Sequence, residues 1–306
     1  MRFRSALVAV SFLLSYGYTL SAVDILYVTT NNNTIIKYDT SGNYLGLFAD
    51  SNLNNPHGLV FDSAGNLYAS NRNGNSISKF DSSGLFKGSI STSQPFGLAF
   101  DSSGNLYAAN DGESSISKFD STGSFVSYFG PATTGYTHVG LSFDSSGYLY
   151  AANNNNTIDK YDPLGNLVST LINDSRQWTP VDIAFDSAGI LYTSNYGSST
   201  ISKFDTSGGF ISTIGTPDEQ PILCNPNGLV FDSLGCLYVA NVYRQNENHG
   251  FISKFDPSGN FVTSWDTAGI MPRALALHIS TVPEPSGYAL AAIATGVIAY
   301  LVRHRK

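Results

Sequence analysis

Four histidines stand between the two ends of this 306-residue chain, at positions 57, 138, 249 and 278. Histidine is the side chain most often recruited to move a proton near neutral pH or to hold a metal, and a zinc site needs three or four such ligands meeting at one point. Only His57 occupies a Pro-His-Gly-Leu phrase; His138 is one residue out of phase with it, His249 lies in a long loop and His278 on the last strand of the repeated region. No metal site is read from them, and no cofactor is expected. Between Ile25 and Ser280 the only glutamates are Glu113, Glu219 and Glu247, while most aspartates belong to Asp-Ser-Ser-Gly-like turns. The repeated Asp-Ser-Ser-Gly-Asn opens like a calcium loop but lacks the closing bidentate Glu. Serine is abundant and never sits in a nucleophile-elbow phrase. No catalytic residue can be named from these patterns.

The elements that would position any site come from a repeat. Phe-Asp recurs at Phe61-Asp62, Phe100-Asp101, Phe143-Asp144, Phe185-Asp186 and Phe231-Asp232, at intervals of 39, 43, 42 and 46 residues. Leu-Tyr or its equivalent brings Tyr27, Tyr68, Tyr107, Tyr150, Tyr192 and Tyr238, and a Lys-Tyr/Phe-Asp phrase begins at Lys37, Lys79, Lys118, Lys160, Lys203 and Lys254. Each unit reads as four short strands, in the second unit Gly58 to Asp62, Asn66 to Ser70, Ser76 to Asp81 and Leu85 to Ile90. Asp binds its own backbone in the intervening turns and Gly takes the positive φ that closes them. A period near 42 residues with four strands per unit predicts an all-β, six-bladed β-propeller. The chain enters at Ile25 on a second strand and leaves on a first strand, Ala274 to Ser280. The two ends should therefore share one blade and close the ring, removing exposed sheet edges.

In such a ring the short, repeated turns define one structural face, and the varied second-to-third strand loops define the other, where binding residues concentrate. Asn71, Asn110, Asn153, Asn195 and Asn241, with Thr30 in the sixth place, are expected to circle the channel mouth on that face. There their amides would meet sugars or a hydrated cation. The competing reading has each Asn capping its own strand end. Ligand-binding candidates on the same face are His57, Arg72, Asp111, Tyr196 and Trp178, together with the long loop from Asn241 to Gly250 carrying Tyr243, Arg244, Glu247 and His249. Aromatics make up 13% of the chain, and the repeated ones are expected to fill the gaps between blades. Cys236 begins a second strand whereas Cys224 lies before a first strand, toward the opposite rim, so the two are expected to be unpaired.

The two ends carry other information. Arg2 and Arg4, an apolar run from Ala6 to Leu14, then small and polar residues to Ala22 have the order of a secretory signal peptide over residues 1–22. At the other end Pro283, Glu284 and Pro285 precede an apolar segment from Gly287 to Val302 and a basic tip, Arg303 to Lys306. Residues 281–306 thus resemble the PEP-CTERM sorting signals of Gram-negative bacteria. The resemblance implies an exosortase-type processing protease as partner and membrane contact only through one C-terminal hydrophobic helix. Setting aside the basic residues of both ends leaves 11 basic against 23 acidic side chains, a net charge of −12 with Glu284 counted in. That balance argues against nucleic acid and anionic lipid as partners.

Pro56-His57-Gly58-Leu59-Val60-Phe61-Asp62 and Gly104-Asn105-Leu106-Tyr107-Ala108-Ala109-Asn110 resemble NHL-type repeats and the related streptogramin-lyase-like propellers. The likeness spans residues 25–280 and implies the fold, not a function. Lactonase-like propellers use a Glu near the start of the chain as a metal ligand, and this body has none before Glu113. The expectation is an exported binding or interaction module of the periplasm, outer surface or extracellular matrix, taking a glycan, peptide or protein, with surface polysaccharide or a co-exported protein as candidate partners. The alternative is a lyase or lactone hydrolase of the streptogramin-lyase or gluconolactonase-like type, with its site at the channel mouth.

Overall fold

The computed structural model describes residues 23–131, 136–172, 179–205, 207–215, 222–242 and 250–280. Residues 1–22 and 281–306, read from the sequence as an export and a sorting signal, lie outside them. Leu26–His278 forms one compact unit. The strands fall into six four-stranded antiparallel sheets, and no helix occurs among the described residues. The first complete blade is β4 (Pro56–Phe61), β5 (Leu67–Asn71), β6 (Ser76–Phe80) and β7 (Phe86–Ser91). The next four blades repeat it. Their innermost strands are β8 (Pro95–Phe100), β12 (His138–Phe143), β16 (Pro180–Phe185) and β20 (Pro226–Phe231), and their outermost are β11 (Phe125–Phe129), β15 (Leu167–Ile172), β19 (Phe210–Ile214) and β23 (Phe261–Asp266). The sixth sheet has the order β24 (Pro272–Ser280), β1 (Val23–Thr30), β2 (Ile35–Asp39), β3 (Tyr44–Ala49). The last strand of the chain completes the blade that the first three begin, and the ring closes as the repeat requires. Inner strands start at the proline of the repeat rather than at the glycine two residues later, because that proline still faces the asparagine of the second strand, Pro56 opposite Asn71.

The repeated residues explain why this sequence makes blades. Eleven turns from Asp39 to Asp256 share one construction, in which the Asp Oδ1 accepts the backbone N–H groups two and four residues on; for Asp256 these are Ser258 at 2.9 Å and Asn260 at 2.8 Å. The tyrosine of each second strand packs edge-on against the phenylalanine of the next inner strand. Tyr27–Phe61, Tyr68–Phe100, Tyr107–Phe143, Tyr150–Phe185 and Tyr192–Phe231 have ring centroids 4.9–5.1 Å apart, each pair worth about 1 kcal/mol beyond the area it buries. At the sixth junction Leu277 stands in place of phenylalanine, and Trp265 fills the gap between Tyr38 and Tyr238 instead. The third-strand lysines lie over the same tyrosines: Lys79, Lys118, Lys160, Lys203 and Lys254 place Nζ 4.9–5.2 Å from the rings of Tyr68, Tyr107, Tyr150, Tyr192 and Tyr238.

Candidate functional site

Inner strands approach so closely that their third position is restricted. A Cβ on Gly58, Gly97, Gly140 or Gly228 would come within 2.2–2.6 Å of the carbonyl of the next inner strand. The residue just before this position, between the repeated proline and the glycine, is free to vary. It is His57, Phe96, Val139, Val181, Asn227 and Arg273 in turn. All six lie at the end of the inner strands where the varied loops emerge, and they form the rim of the channel mouth. Below it His57, Phe96, Val181 and Asn227, with Gly58, Gly97, Gly228 and Leu59, Leu98 and Leu275, enclose a chamber of about 40 Å³. A wider space of about 420 Å³ opens toward the turn face and is lined by Val60, Phe61, Leu141 and Ile183 among others.

One arc of the rim is a connected polar network. The Arg273 Nη1 donates to Asn55 Oδ1 and, at 2.9 Å, to His57 Nε2. The His57 ring stacks on Phe96 at 4.2 Å between centroids. Arg72 lies 6.0 Å from that same phenylalanine and pairs with Asp111, whose Oδ1 accepts from Thr137 Oγ1 at 2.9 Å. Four consecutive blades contribute. Burial, then the neighbouring Arg273 and Arg72 charges, push His57 down to about 3, so its ring stays neutral throughout the physiological range. Because arginine can only donate, His57 Nε2 is the acceptor and the ring proton resides on Nδ1. That Nδ1 is buried and has no hydrogen-bond partner.

Asp182 breaks the glycine pattern. Its side chain reaches toward the next inner strand, and its Oδ2 accepts the Leu229 amide while Oδ1 accepts the Ile183 amide, both at 2.9 Å. The residue lines the channel lumen and is half-buried. Loss of bulk hydration, only partly offset by the two amides, pushes it up to about 7.

The asparagines are placed differently from the mouth ring expected of them. Asn71, Asn110, Asn153, Asn195 and Asn241 do recur once per blade, but all are buried within their sheets. Asn71 Oδ1 accepts the Asn54 amide at 3.0 Å and its Nδ2 donates to Ser78 Oγ at 2.9 Å. Asn110 and Asn195 donate to Ser117 and Ser202, and Asn241 accepts from the Cys224 amide. These amides tie the second strand, the third strand and the incoming loop together, because a strand end otherwise leaves backbone groups unpaired. Trp178 lies outside the described residues.

His138 takes the proline position of its blade and is buried, its Nδ1 2.6 Å from Asn153 Oδ1; burial lowers its pKa. His278 packs on Phe61 near the opposite end of the channel. The described histidines, His57, His138 and His278, do not converge, and among the described residues no three His, Cys, Asp or Glu side chains come close enough to hold a metal ion. Tyr196 opens its loop, with its carbonyl accepting from Asn225 Nδ2 at 3.2 Å. Cys224 and Cys236 are free thiols. Tyr243, Arg244, Glu247 and His249 lie outside the described residues, as do Pro283, Glu284 and Pro285. Of the residues at the mouth, the sequence singled out His57, Arg72 and Asp111 as candidates and not Arg273, Phe96, Asn55, Asn227 or Asp182. Stacking the six phrases equivalent to Pro56-His57-Gly58 would have exposed all of these but Asn55, since the middle column varies and Asp182 and Ala274 replace the glycine.

Fold and mouth together define a six-bladed β-propeller with a polar arc on one face. The chain is similar in structure to a protein of unknown function from Bacteroides caccae (TM-score 0.69, 14% identity, covering 84% of this chain and 99% of that one). It is also similar to a propeller in a nidogen/laminin complex (TM-score 0.69, 14% identity, 85% and 99%) and to streptogramin B lyase (TM-score 0.60, 16% identity, 82% and 76%). At these identities the likeness carries the fold alone. No protein-family profile and no curated protein matches the sequence.

Proposed function

We propose that this chain is an exported propeller that acts as a binding or interaction module at the cell surface, presenting the channel mouth to a glycan, peptide or protein. The observation that carries the reading is the arc Arg273–His57–Phe96–Arg72–Asp111, an assembly of hydrogen-bonding and aromatic groups that no repeat requirement explains. The lyase or lactone hydrolase alternative is weaker. A general base works best with a pKa near the working pH; His57 is pushed down to about 3, and Asp182, pushed up to about 7, has both carboxyl oxygens engaged by the Ile183 and Leu229 amides.

The address belongs to the same proposal. Residues 1–22 export the chain, and Pro283-Glu284-Pro285 with the apolar segment after it presents it to an exosortase-type protease. No helix among the described residues is long and apolar enough to cross a membrane; the apolar segment itself lies outside them. Glu284→Ala is expected to leave export intact and change tail processing, read as the mass of the exported product. Binding is tested with the purified full chain on surface polysaccharide and co-exported protein of a producing cell. Arg72→Ala/Arg273→Ala, with its thermal transition kept, is expected to bind at least about tenfold more weakly, a loss of about 1.4 kcal/mol. Unchanged binding would refute the mouth as the site.

A further inference from the structure

The polar arc offers donors. Both guanidiniums carry only N–H groups, Asn55 Oδ1 already accepts from Arg273, and the His57 Nδ1–H is buried without an acceptor in the protein. Buried donors of this kind normally meet water or a ligand, and a fork of guanidinium N–H groups pairs best with a carboxylate. Charge is sorted in the same sense. Arg72, already paired with Asp111, and Arg273 are the only arginines among the described residues and both stand at the mouth, while the lysines at 79, 118, 160, 203 and 254 lie over tyrosine rings.

The chamber under the rim restricts what accompanies the anion. Its roughly 40 Å³ holds about three waters; Leu59, Leu98, Val181, Leu275 and glycines form part of its wall, and His57, Phe96, Asp182 and Asn227 another part. It accepts a methyl-sized apolar group and excludes a sugar ring, for whose hydroxyls only Asn227, Asp182 and His57 among the lining residues carry polar side chains. Both Asp182 oxygens are already engaged by backbone amides.

We propose that the mouth receives the free C-terminus of a peptide, its carboxylate held by Arg273 and Arg72 and its small last side chain seated in the chamber. This rests on the binding role proposed above and names its ligand chemistry. A chain end places a carboxylate and a side chain on one carbon, which matches guanidinium donors on the rim and a small chamber with leucine and valine walls immediately below.

The experiment uses the full chain, an immobilised library of random hexapeptides with free C-termini, the same library as C-terminal amides, and oligogalacturonate as an anionic glycan. The free-acid library is expected to retain the protein at least about tenfold better than its amide twin, with Ala, Ser or Gly enriched at the last position. Arg273→Ala should abolish retention, and Arg273→Lys, which keeps the charge and loses the fork, should give an intermediate value; thermal melts establish that both variants are folded, and Arg72→Ala serves as the second variant if Arg273→Ala is not. Equal retention by acid and amide, lost in Arg72→Ala/Arg273→Ala, would overturn the carboxylate assignment and leave the mouth as a binding site. Retention by oligogalacturonate and not by peptides would replace the peptide with an acidic glycan. Retention by none of the three, or retention that a folded Arg273→Ala leaves intact, would also overturn the proposal.

Discussion

Asp182 occupies a position where four other blades carry glycine, and its consequences are measurable. In an unfolded chain a carboxyl ionises near about 3.9, whereas here burial pushes it up to about 7. Between those values the folded protein holds a proton that the unfolded chain has released. The contribution of this group to stability is therefore greatest below about pH 4 and declines as pH rises through 7. Asp182→Asn keeps an acceptor for the Leu229 amide and removes the titration, so the fall in urea midpoint between pH 4 and 7 should shrink relative to the parent. An identical slope would show that the carboxyl is hydrated through the channel. Asn71→Ala tests the other reassigned residue. It strips the partners of the Asn54 amide and Ser78 Oγ and should cost about 2 kcal/mol in urea unfolding, with no effect on any ligand that Arg273 variants lose. The asparagines were visible in the sequence as a column but their roles were not, since a repeated amide has the same spacing whether it faces a channel or a neighbouring strand. Arg273 was hidden because it belongs to the incomplete repeat at the chain end, Pro-Arg-Ala, where the glycine that marks the column is missing.

At the scale of the elements, turns and blade junctions carry the fold. The carboxyls of Asp81 and Asp205 sit below the usual carboxylate range mainly because Ser83 and Ser207 hydroxyls bond them, that of Asp120 because of Thr122, and those of Asp162 and Asp256 because of the Asn166 and Asn260 side chains. Depressed values stabilise the folded state above the ordinary carboxylate pKa, and that stability is lost as pH falls through the folded values. Thermal melts should thus fall steeply below about pH 4, opposite in sign to the Asp182 effect. Gly97→Ala probes the junctions. Its Cβ would lie 2.2 Å from the Val139 carbonyl oxygen, and the displaced inner strand should cost about 3 kcal/mol; a loss under 1 kcal/mol would mean that inner strands slide apart freely. These elements were readable because turn chemistry is local: Asp, a small residue, then Gly specify the hairpin without tertiary information. The paths of the mouth loops were not, since their residues carry no repeated rule.

For the whole molecule the decisive feature is closure of the ring by β24 against β1. The split repeat foretold it, because a unit divided between the termini buries its edges only when the two parts pair. Deleting residues 272–280 should abolish cooperative unfolding and promote association through the exposed β1 edge, seen as a rising oligomer peak in size-exclusion chromatography. Closure also brings Arg273 beside His57, 216 residues away in sequence. The central claim, that this mouth is the binding site, is tested most directly by site-specific photo-crosslinking on the surface of a producing cell. A photoreactive residue replaces Asn227 at the mouth or, on the turn face, Leu164, which is 87% exposed, or Ser258, both in turns between a third and a fourth strand. The account predicts a discrete cross-linked product from position 227 that disappears in Arg72→Ala/Arg273→Ala, and none from 164 or 258. Products from 164 or 258 alone would contradict it.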